Sequence, residues 1–159
     1  MAIRAELTNW IHRELLISIA ACDYSGAPLL ARCLAVEITA DGTQARIYLN
    51  GNSAQPLFAQ LKREQWLAVV MEQPRTHRSL QIKGKVDAIS PMSDADIAYC
   101  QQYQQSFTEG VIAFGFTDAF SAVFIPPPDE SASIIQINIE QVYEQSPGTQ
   151  AGQLLETTT

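Results

Sequence analysis

The chain has 159 residues and a mass of 17.5 kDa, enough for one ordinary domain around a single core and too little for two. Apolar residues make up 47% and charged residues 17%, a balance that excludes compositional disorder for the body of the chain. The net charge of -7 disfavours a nucleic-acid backbone as partner. Runs such as Trp66 to Met71 fall far short of the roughly 20 apolar residues a membrane span needs.

Ile3, Leu7, Trp10, Ile11 and Leu15 recur at helical spacing and predict an amphipathic first helix, which gives way to a strand over 16–22. Asp23-Tyr24-Ser25-Gly26 with Pro28 reads as a turn and 29–38 as a second strand. Asp41-Gly42 is a hairpin signal into a third strand over 45–50. Ser53 resembles a helix cap, with Pro56 in the first turn and Leu57, Phe58 and Leu61 on one face, so a short helix joins the third strand to the fourth. That fourth strand, 66–71, is apolar throughout, as in a strand covered on both faces. After Gln73-Pro74, Leu80, Ile82, Val86 and Ala88 alternate with Gln81, Lys83, Lys85 and Asp87 in a half-buried fifth strand.

Ser93 and Asp96 have the spacing of a capping pair before a helix that turns Ile97, Cys100, Tyr103 and Phe107 inward. Residues 110–125 show no clear period and predict no element, and Pro126-Pro127-Pro128 is a stiff break. Ile135, Ile137 and Ile139 alternate with Gln136 and Asn138 in the last strand, and Ser146-Pro147-Gly148 opens a loop. Six short, mostly antiparallel strands with peripheral helices predict a mainly β fold, a small Greek-key barrel. It is expected to form one domain over 1–155, followed by a frayed tail over 156–159.

Charge is segregated along the chain. Residues 62–85 hold Lys62, Arg63, Arg75, Arg78, Lys83 and Lys85 against two glutamates, whereas 86–159 hold ten acids and no Lys or Arg. A confined basic patch on an acidic chain suits a small anion such as a phosphate or carboxylate. Cys22, Cys33 and Cys100 share no metal-ligand spacing and are odd in number, so neither a zinc site nor a disulfide framework is expected. With no basic-then-apolar leader at the N-terminus, the expected compartment is the cytoplasm. His12 and His77 are the only histidines, in unrelated contexts, and the carboxylates are scattered. No catalytic residue is assigned, and a difficult chemical step would belong to a cofactor.

Two features stand out. On the second strand the even positions are Leu30, Arg32, Leu34, Val36 and Ile38, so strict alternation sets one guanidinium in an apolar face. Its partner is open: a ligand anion at a cavity mouth, an internal acid such as Glu72, or a bulge that turns the side chain outward. The second feature is the run from Thr76 to Gly84, where Arg78, Ser79, Gln81 and Lys83 bring guanidinium, hydroxyl, amide and ammonium donors to a turn and strand. Gly84 marks either a bulge or a close backbone approach.

Over roughly residues 3–152 the layout resembles the pyridoxamine 5′-phosphate oxidase-like, FMN-binding split-barrel family. The stretches that carry the resemblance are Gly26-Ala27-Pro28 leading to Arg32, Tyr48-Leu49-Asn50 leading to Ser53, Pro74 to Gly84, and Ser146-Pro147-Gly148 with Ala151-Gly152. The resemblance implies a homodimer of six-stranded antiparallel Greek-key split barrels with FMN between subunits. It puts Arg32 at the FMN phosphate, Asn50 and Ser53 in the phosphate-side loop, and Arg78, Ser79 and Gln81 beside the cofactor, with Lys83 further along that strand. Three phosphate-side cations of the oxidases are missing, their positions being Glu37, Ala54 and Gln55 here, with Lys62, Arg75 or Lys83 as possible compensation. The implied function is a flavin-dependent oxidoreductase acting on a small molecule, in which Arg78 or Lys83 stabilises charge on the reduced ring. The alternatives are a non-catalytic cofactor- or metabolite-binding dimer, or a dimer that has lost its ligand.

Overall fold

Alternating side chains build the sheet. In the computed structural model, which describes residues 7–11, 14–61 and 65–157, β1 (Leu16–Cys22) buries Ile17, Ile19 and Ala21, and β5 (Trp66–Glu72) buries Leu67, Val69 and Met71. The long strands β6 (Ser79–Pro91) and β7 (Ser133–Glu144) add Leu80, Ile82, Val86, Ile135, Ile137, Ile139 and Val142 to the same core. β5 is covered on one face only, since Ala68 and Val70 remain half-exposed and Trp66 exposed on the other; its unbroken apolar run made both faces look buried. Leu7 and Trp10 are buried in a helical turn, while Ile3, His12, Lys62 and Arg63 lie outside the described residues.

The run read as one strand over 29–38 is two. β2 (Pro28–Arg32) pairs with β1, and β3 (Ala35–Ile38) pairs with β4 (Gln44–Leu49), at the opposite end of the sheet. The exchange of partners occurs between adjacent residues: the Cys33 N–H donates to Ile17 O at 3.0 Å and the Leu34 N–H to Tyr48 O at 2.7 Å. All pairings are antiparallel in the order β2-β1-β5-β6-β7-β4-β3, with β8 (Leu154–Thr157) beside β7. The six expected strands become eight through this division and through β8, whose Glu156 and Thr157 pair with Val142 and Gln141 where a frayed tail is expected.

Helix α1 (Gly51–Phe58) connects β4 to β5 and packs on β2. Helix α2 (Asp94–Ile112) begins with the predicted capping pair, Ser93 and Asp96 bonding reciprocally, and turns Cys100, Tyr103, Phe107 and Val111 inward. It spans the seam. Its Tyr103 hydroxyl donates to Leu15 O at 3.1 Å ahead of β1, and its Tyr99 hydroxyl to Val36 O at 3.0 Å in β3. Asp96 also accepts from Arg46 of β4 at 2.7 Å, and Arg46 bonds Glu37 of β3 at 2.8 Å; the Tyr48 hydroxyl donates to the same Glu37 carboxylate. Helix α3 (Asp118–Phe124), capped by Thr117, lies in the stretch where no period predicted an element. Phe116, just ahead of it, stacks on Phe120 with ring centroids 4.3 Å apart, and Phe124 meets Phe120 at a tilt with centroids 4.7 Å apart.

Gly84 meets both expectations at once. The β6–β7 register shifts between Lys83 and Gly84, and a Cβ on Gly84 would stand 2.1 Å from Asn138 O. Gly84→Ala is expected to cost about 1–3 kcal/mol, read as a lower urea midpoint at unchanged slope. Burial works to raise the Asp96 carboxyl, but bonds from Ser93 and Arg46 outweigh it and hold the group below the usual carboxylate range. The folded state therefore binds fewer protons than the unfolded one, so this contribution is complete above the unfolded carboxylate range near pH 4 and is lost on acidification below it. Asp96→Asn is expected to flatten the acid limb of a stability-against-pH curve in that range.

Candidate functional site

Strand register brings three of the expected site residues onto one outer face. Arg32, Ser18, Val70, Gln81 and Tyr143 stand opposite one another across β2, β1, β5, β6 and β7, and Leu30, Ala20, Ala68, Lys83 and Gln141 form the adjacent row. Residues two apart on a strand share a face, so both rows point away from the buried core. Neighbouring strands run about 4.8 Å apart, which sets Arg32 and Gln81 roughly 14 Å from each other. Between them the floor is made of the small side chains of Ser18, Ala20 and Ala68 with Val70. A cavity of about 660 Å³ lies over part of this floor, lined by Ala20, Cys22, Trp66, Ala68, Lys83 and Gln141. Its volume is in the range of small-molecule sites.

The polar groups on this face are differently engaged. Arg32 is exposed, with its guanidinium 5.7 Å from the Phe124 ring centroid and no acid paired to it among the described residues. Alternation within a single strand would turn it inward with Leu34 and Val36. The seam at Cys33–Leu34 breaks that parity, so Arg32 lies with Pro28 and Leu30 on the exposed side of β2 while Leu34 and Val36 turn in. Glu72, the suggested internal partner, instead lies 3.6 Å from His77. Lys83 holds its ammonium 4.7 Å from the Tyr143 ring centroid, and Gln81 accepts a long bond of 3.5 Å from Gln145.

The other expected residues separate from this group. Arg78, of opposite parity to Gln81, stacks over the Trp10 ring at 5.2 Å. Ser79 is buried, its hydroxyl donating to His77 O at 3.1 Å and its N–H to Ser146 Oγ at 3.0 Å, so its hydroxyl is committed within the chain. Glu37, where the oxidases carry a lysine, is held by Arg46 and Tyr48; Ala54 is buried and Gln55 exposed. Arg75 lines a separate cavity of about 400 Å³ with Glu14, Glu109 and Phe114, which none of the seven expected site residues borders.

At the start of α1, Asn50 and Ser53 stand beside a residue that sequence reasoning missed. The Asp129 carboxylate accepts the N–H groups of Gly51 at 3.3 Å, Asn52 at 3.2 Å and Ser131 at 3.0 Å, and the Ser131 hydroxyl at 2.9 Å. Asn50 is buried and spent on the same loop: its Nδ2 donates to Pro127 O at 2.9 Å and its Oδ1 accepts the Asp129 N–H at 2.7 Å. Ser53 is exposed and donates to Asn50 O at 3.3 Å. Partial burial acts to raise the Asp129 carboxyl, but these donors outweigh it and hold the group below its ordinary value. The sequence signal was Asp129 two residues before Ser131, the spacing of an Asx turn, which the neighbouring proline run obscured.

The site thus fits a flavin-type group in one part and not in another. The small-residue floor accepts a planar heteroaromatic ring, with amide and ammonium donors at its border. At the α1 start the Gly51 and Asn52 N–H groups already bond a carboxylate, so these two donors are not open to a phosphate.

No family model and no curated protein matches the chain. Among solved structures, one named F420 reductase aligns at 16% identity over 84% of this chain and 93% of its own, with a TM-score of 0.51. HupZ of Group A Streptococcus aligns at 14% identity over 96% and 98%, also at 0.51. General stress protein 26 of Bacillus anthracis aligns at 12% identity over 90% and 93%, at 0.50. At such identities the likeness is one of fold alone, and it agrees with the split barrel expected from the sequence: the chain is a mainly β protein whose curled antiparallel sheet carries a helix across its seam.

Proposed function

We propose that the chain binds a flavin-type cofactor, FMN in the sequence reading, on the outer sheet face between Arg32 and Lys83, and acts as a flavin-dependent oxidoreductase on a small molecule. The observation that carries this reading is the register that aligns Arg32 and Gln81 in one row with Lys83 in the next, above a floor of Ser18, Ala20 and Ala68. When bound, such a cofactor supplies hydride or electron transfer, for which no protein nucleophile is required. The chain's part is to bind and orient. Gln81 offers an amide to the polar edge of a ring, Lys83 offers a cation where negative charge develops, Trp66 walls the cavity against water, and Arg32 meets an acidic group.

The reading includes a homodimer in the cytoplasm. Leu30 is 70% exposed beside Arg32, and Val123 of α3 is 78% exposed, so the isolated chain presents apolar surface near the site that a second copy would cover. Free thiols at Cys22, Cys33 and Cys100 accord with a reducing compartment. A second reading, a non-catalytic carrier or sensor, draws support from the carboxylate at the α1 start, which leaves Arg32 as the main anion receptor for a ligand tail.

Titration with FMN, followed by visible absorption and flavin fluorescence, tests the proposal. Saturable binding is expected, weakened about tenfold or more by Arg32→Ala and by Lys83→Ala with the unfolding midpoint little changed, a charge-assisted hydrogen bond being worth about 1.5–3 kcal/mol. Protein that stays colourless and leaves FMN fluorescence unaltered would overturn it. Rapid reduction of bound flavin by NADH or NADPH favours the enzyme, and inert binding favours the carrier. Sedimentation is expected to give twice the chain mass.

A further inference from the structure

We propose that the second cavity, enclosed by the segment ahead of β1, the β5–β6 turn and the last turns of α2, binds a free amino acid with an apolar side chain. This site is separate from the flavin face and stands whether or not a flavin binds there. The cavity has a volume of about 400 Å³. Three elements bring charge to it: Glu14 from the segment ahead of β1, Arg75 from the turn and Glu109 from α2. Phe107, Val111 and Phe114 supply its apolar lining.

Charge carries the argument. Among the described residues ion pairs form at Arg46, His77 and Lys85, and none joins Arg75 to Glu14 or Glu109. Glu109 accepts from Gln105 Nε2 at 3.0 Å, a neutral donor that leaves its charge in place. A guanidinium and two carboxylates thus face one cavity without closing on each other, an arrangement that a molecule carrying both signs bridges. The planar fork of Arg75 suits a carboxylate, and the two glutamates suit an ammonium. The end of α2 adds to the second preference, because its last turn holds no basic residue to offset the negative pole of the helix.

Space agrees with charge. Gly110 lies in that last turn, where glycine is a poor helix former, and a Cβ on it would meet Glu14 Cγ at 3.6 Å, an ordinary contact. No neighbour requires the glycine; its effect is to leave the wall open beside Glu14. The volume lies at the lower end of the range for small-molecule sites, which suits one amino acid.

L-Phenylalanine is the probe, with phenethylamine and 3-phenylpropionate as the analogues that lack its carboxylate and its ammonium. Calorimetric titration at constant ionic strength is expected to show saturable binding of L-phenylalanine, about tenfold or more tighter than that of either analogue. Arg75→Ala is expected to lower its affinity to that of phenethylamine, and Glu14→Gln combined with Glu109→Gln to that of 3-phenylpropionate. The analogue series on the wild-type protein decides the matter if a variant does not fold. No saturation by L-phenylalanine up to about 20 mM, an analogue that binds as tightly, or an affinity that the folded variants leave unchanged overturns the proposal.

Discussion

The change of hydrogen-bond partner between Cys33 and Leu34 is the constraint on which the architecture depends. One residue pairs toward β1 and the next toward β4, so a single extended stretch belongs to both ends of the sheet. A flat sheet cannot satisfy this; the ends must come round toward each other, and strand twist takes them there. Helix α2 then serves as the tie across the seam, with one tyrosine hydroxyl on each side and a capping aspartate that reaches Arg46. The outer face inherits its composition from the same event, because the seam sends Arg32 outward while Leu34, Ala35 and Val36 all turn in.

Most of the elements could be read from period and punctuation. The alternation of β6, the Asp41-Gly42 hairpin and the Ser93–Asp96 capping pair are local signals, and each specifies its structure within a few residues. The seam could not be read this way. Residues 29–38 are mostly apolar and strand-forming, interrupted in the structure only by a bend at Leu34, and a change of partner there leaves no mark in local propensity; it depends on where β1 and β4 lie. The error about Arg32 follows directly, since a parity argument holds only within one unbroken strand. Helix α3 escaped notice for another reason: it is only seven residues long, and its buried position is Ser121 while Phe120 and Val123 are exposed, so no buried apolar period marks it.

The site divides along similar lines. Gln81 and Lys83 share a face by simple alternation, and their side of the site was legible. Their alignment with Ser18 and Arg32 needed the register of three strand pairs. Asn50 was identified by resemblance, but its amide is consumed by a loop about 78 residues away in sequence, contacts that no spacing within the Tyr48–Ser53 stretch announces. Arg78 and Ser79 are adjacent to Gln81 in the chain yet serve the packing around Trp10 and the Ser146 turn.

Strand β7 carries a consequence for how the chain is made. It is the partner of β6 along one edge and of β4 and then β8 along the other, and it lies in the last fifth of the sequence. Emerging from the ribosome, the preceding 130 or so residues can form the β1–β2 and β5–β6 hairpins but leave the edges of β4 and β6 open. Closure waits for contacts between residues many tens of positions apart, the kind that slows folding. A nascent chain stalled before Ser133 would carry two bare strand edges, and shielding these during synthesis is a demand this topology places on the cell that makes it.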